Sequence, residues 1–138
     1  MHISLHLRLL LVFIALLGTV GCKPLTTGNL AQTYVSDGLA YRQQIQLMKD
    51  GTYRHAVFQS MGNSVSTREG KWRVERNGGD TRVLLEGFKS VATHRDFAVH
   101  RVWGVKFQEM VFNTRRGIFG TLIITSATDP PVEYFSVK

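Results

Sequence analysis

The chain reads as all-β: a small antiparallel meander, closed or nearly closed into a barrel of about eight strands. Three observations point there. From Leu30 onward apolar and polar residues alternate with period two rather than 3.6, the signature of half-buried strands. Turn signals rich in Gly, Asn and Asp recur roughly every 10–14 residues between Leu39 and Phe88, a spacing typical of sandwiches and barrels. After the first 21 residues, no second long apolar run and no internal repeat competes with that pattern.

The elements follow in order. Leu39, Tyr41, Gln43, Ile45 and Leu47 share one face of a first clear strand, with Arg42, Gln44 and Gln46 on the other. Lys49-Asp50-Gly51 then predicts a tight turn, because Asp-Gly readily supplies the positive φ of hairpin turns. Thr52–Ser60 returns with Tyr53, His55 and Val57 facing one way, and Gly62-Asn63 marks the next turn. Val65–Glu75 carries Trp72 and Val74 on one face, with Gly70 expected at a bulge. Asn77-Gly78-Gly79-Asp80 is the strongest turn signal, leading into a strand built on Val83 and Leu85. Lys89–Asp96 is less regular and suits a short helix or a loop. Phe97–Val102 and Val105–Asn113 alternate again around Gly104, Arg115-Arg116-Gly117 turns, and Ile118–Ser126 reads as a strand with Leu122-Ile123-Ile124 at its centre. Asp129-Pro130-Pro131 ends it, since neither proline can donate a ladder hydrogen bond. Val132–Lys138 is the last strand, with Tyr134 and Phe135 on opposite faces.

The N-terminus is of another kind. Met1–Arg8 is polar with one cation, Arg8, and Leu9–Leu17 is nine consecutive apolar residues. Such a run is too short to span a bilayer, which takes about 20 residues, and it has the length of the apolar region of a secretory signal. Small residues follow, ending in Thr19-Val20-Gly21-Cys22. This tetrapeptide resembles the lipobox of bacterial lipoproteins, although Thr19 stands where the family usually has Leu. The resemblance implies that a signal helix, residues 1–21, is removed and that Cys22 carries lipid, palmitate included. Cys22 is the sole cysteine of the chain, so it has no internal disulfide partner. Lys23 rather than Asp follows it, which by the same resemblance implies an outer-membrane anchor facing the periplasm. Residues 22–29 then form the lipidated cysteine and a polar tether, and residues 30–138 the barrel domain.

Gln44–Tyr53 (QIQLMKDGTY) and Glu69–Val74 (EGKWRV) carry a second resemblance. The order strand, DGTY, strand, GxW, turn, strand is similar to small bacterial envelope lipoproteins with lipocalin-like barrels, over about Leu39–Phe88. It implies a fold and a location, and no ligand. In lipocalins the GxW lies near the start of the barrel, whereas Gly70-Lys71-Trp72 lies mid-chain here. The CxxC pair of copper-homeostasis lipoproteins has no counterpart.

Removing 21 of the 138 residues leaves 117, enough for one domain with a core independent of disulfides. The mature chain keeps 16 of 17 Lys and Arg against 10 Asp and Glu, a formal charge of +6. That excess favours anionic partners, namely phospholipid or lipopolysaccharide headgroups or an acidic envelope protein. Export disfavours nucleic acid. Oligomeric state is not legible.

The chemistry-bearing candidates are few. Tyr41, Tyr53 and Trp72 fall on the apolar faces of consecutive strands, and either fill the core or line a ligand cup, since an eight-stranded barrel is just filled or holds one small ligand. Met61–Asn63 and Phe119-Gly120 are expected to flank the opening of such a cup. Arg101, Trp103 and Lys106 form a candidate aromatic–basic contact patch. His94, Asp96 and His100 could share a face, but extended chain separates the two histidines by roughly 20 Å, so no metal site is assigned. Ser and Thr show no nucleophile elbow, no Gly-rich loop opens a helix, and Glu69, Glu75, Glu86 and Glu109 come from different strands. No catalytic residue and no cofactor are assigned. The expected function is a non-catalytic binding module for an envelope partner or an apolar ligand. Two other classes stay open: a lipoprotein inhibitor or immunity factor against a hydrolase or toxin, and an envelope hydrolase with two convergent carboxylates or histidines.

Overall fold

The computed structural model describes residues 24–38, 41–59, 64–91, 103–128 and 130–137, with the backbone alone at 64, 65 and 103–105. The signal segment and Cys22 lie outside the described residues, as do His94, Asp96, His100 and Arg101.

The described residues form ten strands: β1 (Thr33–Asp37), β2 (Tyr41–Leu47), β3 (Thr52–Gln59), β4 (Ser64–Asn77), β5 (Asp80–Glu86), β6 (Lys89–Val91), β7 (Trp103–Lys106), β8 (Glu109–Arg116), β9 (Leu122–Ser126) and β10 (Glu133–Val137). Eight of them close a lipocalin-like antiparallel barrel in the order β1-β10-β9-β8-β5-β4-β3-β2, and β6 and β7 form a separate two-stranded ribbon. The barrel is therefore an up-and-down meander with one inserted hairpin. Pairing of Thr33–Val35 with Val137–Phe135 joins the first strand to the last and leaves the sheet without an open edge.

The alternation explains the packing. Tyr34, Ile45, Leu47, Tyr53, Trp72, Val83, Leu85, Phe112, Leu122, Ile124 and Tyr134 all enter one core. Burying each large side chain contributes about 1.5–3 kcal/mol. The two ends of the barrel differ. At one, which carries the β2–β3, β4–β5 and β8–β9 turns, a short helical turn α1 (Thr27–Leu30) sits before β1. Thr26 and Asn29 form a reciprocal capping box, which satisfies backbone donors that so short a helix would otherwise leave open. Leu30 is wholly buried, Leu25 joins the same core, and Arg76 donates to the Leu25 carbonyl at 3.4 Å. Trp72 completes this closed end, its indole N–H donating to the Met48 carbonyl at 2.8 Å.

Several expectations need correction. Within the segment expected as polar tether, Thr27–Leu30 is helical and Leu25 enters the core together with Leu30. Gly70 is not a bulge: it pairs in register with Tyr53, and the β3–β4 irregularity falls between Val57 and Phe58. Its role is steric. A Cβ there would lie 2.6 Å from the Tyr53 ring and 2.7 Å from the Glu86 carbonyl oxygen, which itself accepts the Tyr53 hydroxyl at 3.0 Å. Ile118–Gly120 is a 3₁₀ turn, not strand, and β9 starts at Leu122. Lys89–Val91 is strand β6 rather than helix or loop, and the expected strand over Phe97–Val102 lies outside the described residues.

Candidate functional site

The other end is the open one. It carries the β1–β2, β3–β4 and β9–β10 connections and the β6–β7 ribbon inserted between β5 and β8. The ribbon is tied to the wall where the Phe107 N–H donates to the Phe88 carbonyl at 2.8 Å and the Gly87 N–H donates to Gln108. Beneath it lies a cleft of about 430 Å³ lined by Gln43, Phe88, Ser90, Val91, Phe107, Ser126, Ala127, Thr128, Pro130, Val132 and Tyr134. Phe88, Val91, Phe107 and Val132 supply apolar walls. The Ser126 hydroxyl accepts the Val132 N–H at 2.9 Å and bonds the Thr128 hydroxyl at 2.7 Å, which holds the β9–β10 loop in a tight arch at the rim.

A polar cluster lies at the base of the cleft, where Gln43 and Tyr134 line the floor and the buried His55 joins them through Gln43. Gln43 comes from β2, His55 from β3 and Tyr134 from β10, each at an inward position of its alternation. The Gln43 side-chain oxygen accepts the Tyr134 hydroxyl at 2.7 Å and lies 3.2 Å from Nε2 of His55. An amide oxygen only accepts, so this contact places the imidazole proton on Nε2. The imidazole stacks on Phe88 with centroids 4.8 Å apart and planes 11° apart. Phe112 packs edge-on between Phe88 and Tyr134. Burial pushes the His55 pKa down to about 3 and pushes the Tyr134 hydroxyl up. Both groups are thus neutral through the physiological range, because an unpaired charge on this floor would lose its hydration. What the arrangement offers is an apolar pocket with a few fixed neutral hydrogen-bonding groups, the usual composition of a small-molecule site.

The residues singled out from the sequence fall elsewhere. Tyr53 and Trp72 are buried in the core, and Tyr41 is half-buried at the start of β2. None of the three is among the cleft-lining residues. Phe119-Gly120 lies at the closed end, opposite the cleft, so it does not flank this opening, and Met61–Asn63 is outside the described residues. Of the contact patch, Arg101 is outside the described residues, Trp103 is described as backbone pairing with Val91, and Lys106 is exposed and pairs with Lys89. Glu86 and Glu109 are cross-strand partners on the outer face, where the Arg73 guanidinium pairs with Glu109 at 2.6 Å, so this carboxylate pair is a surface ion-pair group. No set of three or more His, Cys, Asp or Glu side chains converges on a metal position among the described residues. Among them, too, no helix is long and apolar enough to cross a membrane.

Sequence reasoning did not single out Gln43, His55 and Tyr134 as a group. The signal was present in part, because Gln43 and His55 interrupt otherwise apolar inward faces. No local pattern shows that β10 closes beside β1 and so carries Tyr134 to the same floor. Searches of protein-family models, curated proteins and solved structures found no match to this chain.

Proposed function

We propose that the chain is a lipid-anchored envelope lipoprotein, tethered to the outer membrane through Cys22 and facing the periplasm, whose barrel binds one small apolar molecule bearing a single polar tip. The open-end cleft carries this reading. Its volume is within the range of small-molecule sites, and its walls are apolar above a neutral polar floor. A ligand would bury its apolar body against Phe88, Val91, Phe107 and Val132. Its polar tip would meet Ser126, Thr128 or the Gln43–Tyr134 pair. Binding, not catalysis, is the chemistry such a neutral floor performs. The location rests on the lipobox-like residues 19–22 and on Lys23.

The test uses full-length protein carrying Cys22→Ala, which is expected to move from the membrane to the soluble periplasmic fraction. A naphthylamine fluorophore that brightens in apolar surroundings should bind it with one-to-one stoichiometry. Val91→Asp, which puts a carboxylate into the cleft wall, should weaken that binding at least about tenfold while leaving the circular dichroism spectrum unchanged. Fluorophore binding that is absent, or indifferent to Val91→Asp, would remove the basis for a ligand site.

A further inference from the structure

Among the described residues, the β8–β9 connection carries the two most exposed large apolar side chains. Ile118 is 79% exposed and Phe119 is 94% exposed, and Phe119 holds φ 60°, a left-handed backbone that bulky residues rarely adopt. Nothing in the core requires either side chain. Flanking them, Arg115 and Arg116 are exposed, Arg115 pairing with Glu133 at 2.8 Å, and residues 114–126 contain no carboxylate. On the outer face of β10, Phe135 and Val137 extend the apolar surface, 45% and 44% exposed. This tip lies at the closed end, the end from which the chain leaves the barrel at Leu25, three residues after Cys22.

We propose that the closed end is a membrane-docking face. Ile118 and Phe119 enter the headgroup–acyl boundary of an anionic bilayer while Arg115 and Arg116 sit at headgroup level. The bilayer as occupant follows from three observations together: an apolar tip flanked by Arg115 and Arg116, a formal charge of +6 once residues 1–21 are removed, and the emergence of residue 24 at the same end. Interfacial binding of this kind scales with apolar burial plus attraction to anionic lipid. The choice of a bilayer rests in part on the lipid-anchor reading. Docking at the closed end would orient the barrel with its ligand cleft pointing away from the membrane, open to the periplasm.

The experiment is sedimentation of the full-length Cys22→Ala protein with excess phosphatidylglycerol/phosphatidylethanolamine vesicles, so that the tip acts without the anchor. The protein is expected to co-sediment and to release as salt is raised. The double substitution Ile118→Ser with Phe119→Gly should reduce partitioning at least about tenfold, because two large apolar groups no longer leave water. Glycine accepts the positive φ at Phe119 without strain, so thermal stability should be kept or raised, and lost binding cannot be assigned to unfolding. No co-sedimentation, or partitioning unchanged by the double substitution, would overturn the docking face. Whether the unsubstituted protein sediments with cell membranes and Cys22→Ala does not is a separate result, which decides the anchor alone.

Discussion

Acid should destabilise this barrel through one side chain, His55. In the folded protein burial holds the imidazole neutral down to about pH 3, against an ordinary value of 6.5. The unfolded chain takes up the proton near 6.5, so between those values the unfolded state binds more protons and stability falls as pH falls. The contribution is fully present above about pH 6.5 and declines by about 1.4 kcal/mol for each pH unit below it. By pH 4 the loss is on the order of 3 kcal/mol, a large part of the roughly 5–15 kcal/mol typical of a domain. The groups facing the ring do not counter it. Gln43 and Phe88 are uncharged, Tyr134 keeps its proton, and the cross-strand partner of His55 is the cation Arg68. Urea unfolding of the unsubstituted protein and of His55→Leu, from about pH 7 to about pH 4, measures the difference. The substituted protein should lose stability less steeply over this range, since Leu cannot take up a proton. Equal slopes in the two proteins would refute the reasoning.

Two packing predictions follow from the closed end and the barrel wall. Gly70→Ala should cost about 2–3 kcal/mol in urea unfolding, because the new methyl meets both the Tyr53 ring and the Glu86 carbonyl and backbone cannot step aside; a change below about 0.5 kcal/mol would mean that the two strands are further apart. Trp72→Phe should cost about 2 kcal/mol, combining lost ring volume with loss of the indole hydrogen bond to the Met48 carbonyl, which keeps only the Gly51 N–H, and a neutral result would place the indole outside the core.

Local chemistry made the strands and several turns legible. Inward positions of β2 and β3, Ile45 and Leu47 against Tyr53, His55 and Val57, follow from period-two alternation, and Asp50-Gly51 and Asn77–Asp80 mark the β2–β3 and β4–β5 hairpins. What alternation cannot show is anything decided across the chain. Pairing of Thr33 with Val137 closes the barrel between residues about a hundred positions apart, and that closure brings Tyr134 beside Gln43. Gly70 looks like a bulge locally, and only the Tyr53 ring opposite reveals a steric slot. Leu25 and α1 sit in a polar stretch that reads as tether, yet two leucines and a capping box suffice to make it the plug of the closed end. Ile118-Phe119 reads as strand because it is apolar and adjoins Leu122-Ile123-Ile124, whereas the flanking Gly117 and Gly120 turn it outward. The cleft depends on an inserted ribbon whose placement over the mouth has no local signature.

Native mass spectrometry of the full-length Cys22→Ala protein, isolated from the periplasm without detergent, tests the binding claim most directly. The account predicts a co-purifying apolar molecule of one defined mass, absent from the Cys22→Ala/Val91→Asp protein prepared in parallel. A bare chain of the calculated mass in both preparations, with no uptake of added apolar probe, would contradict it and leave the barrel interior as core alone.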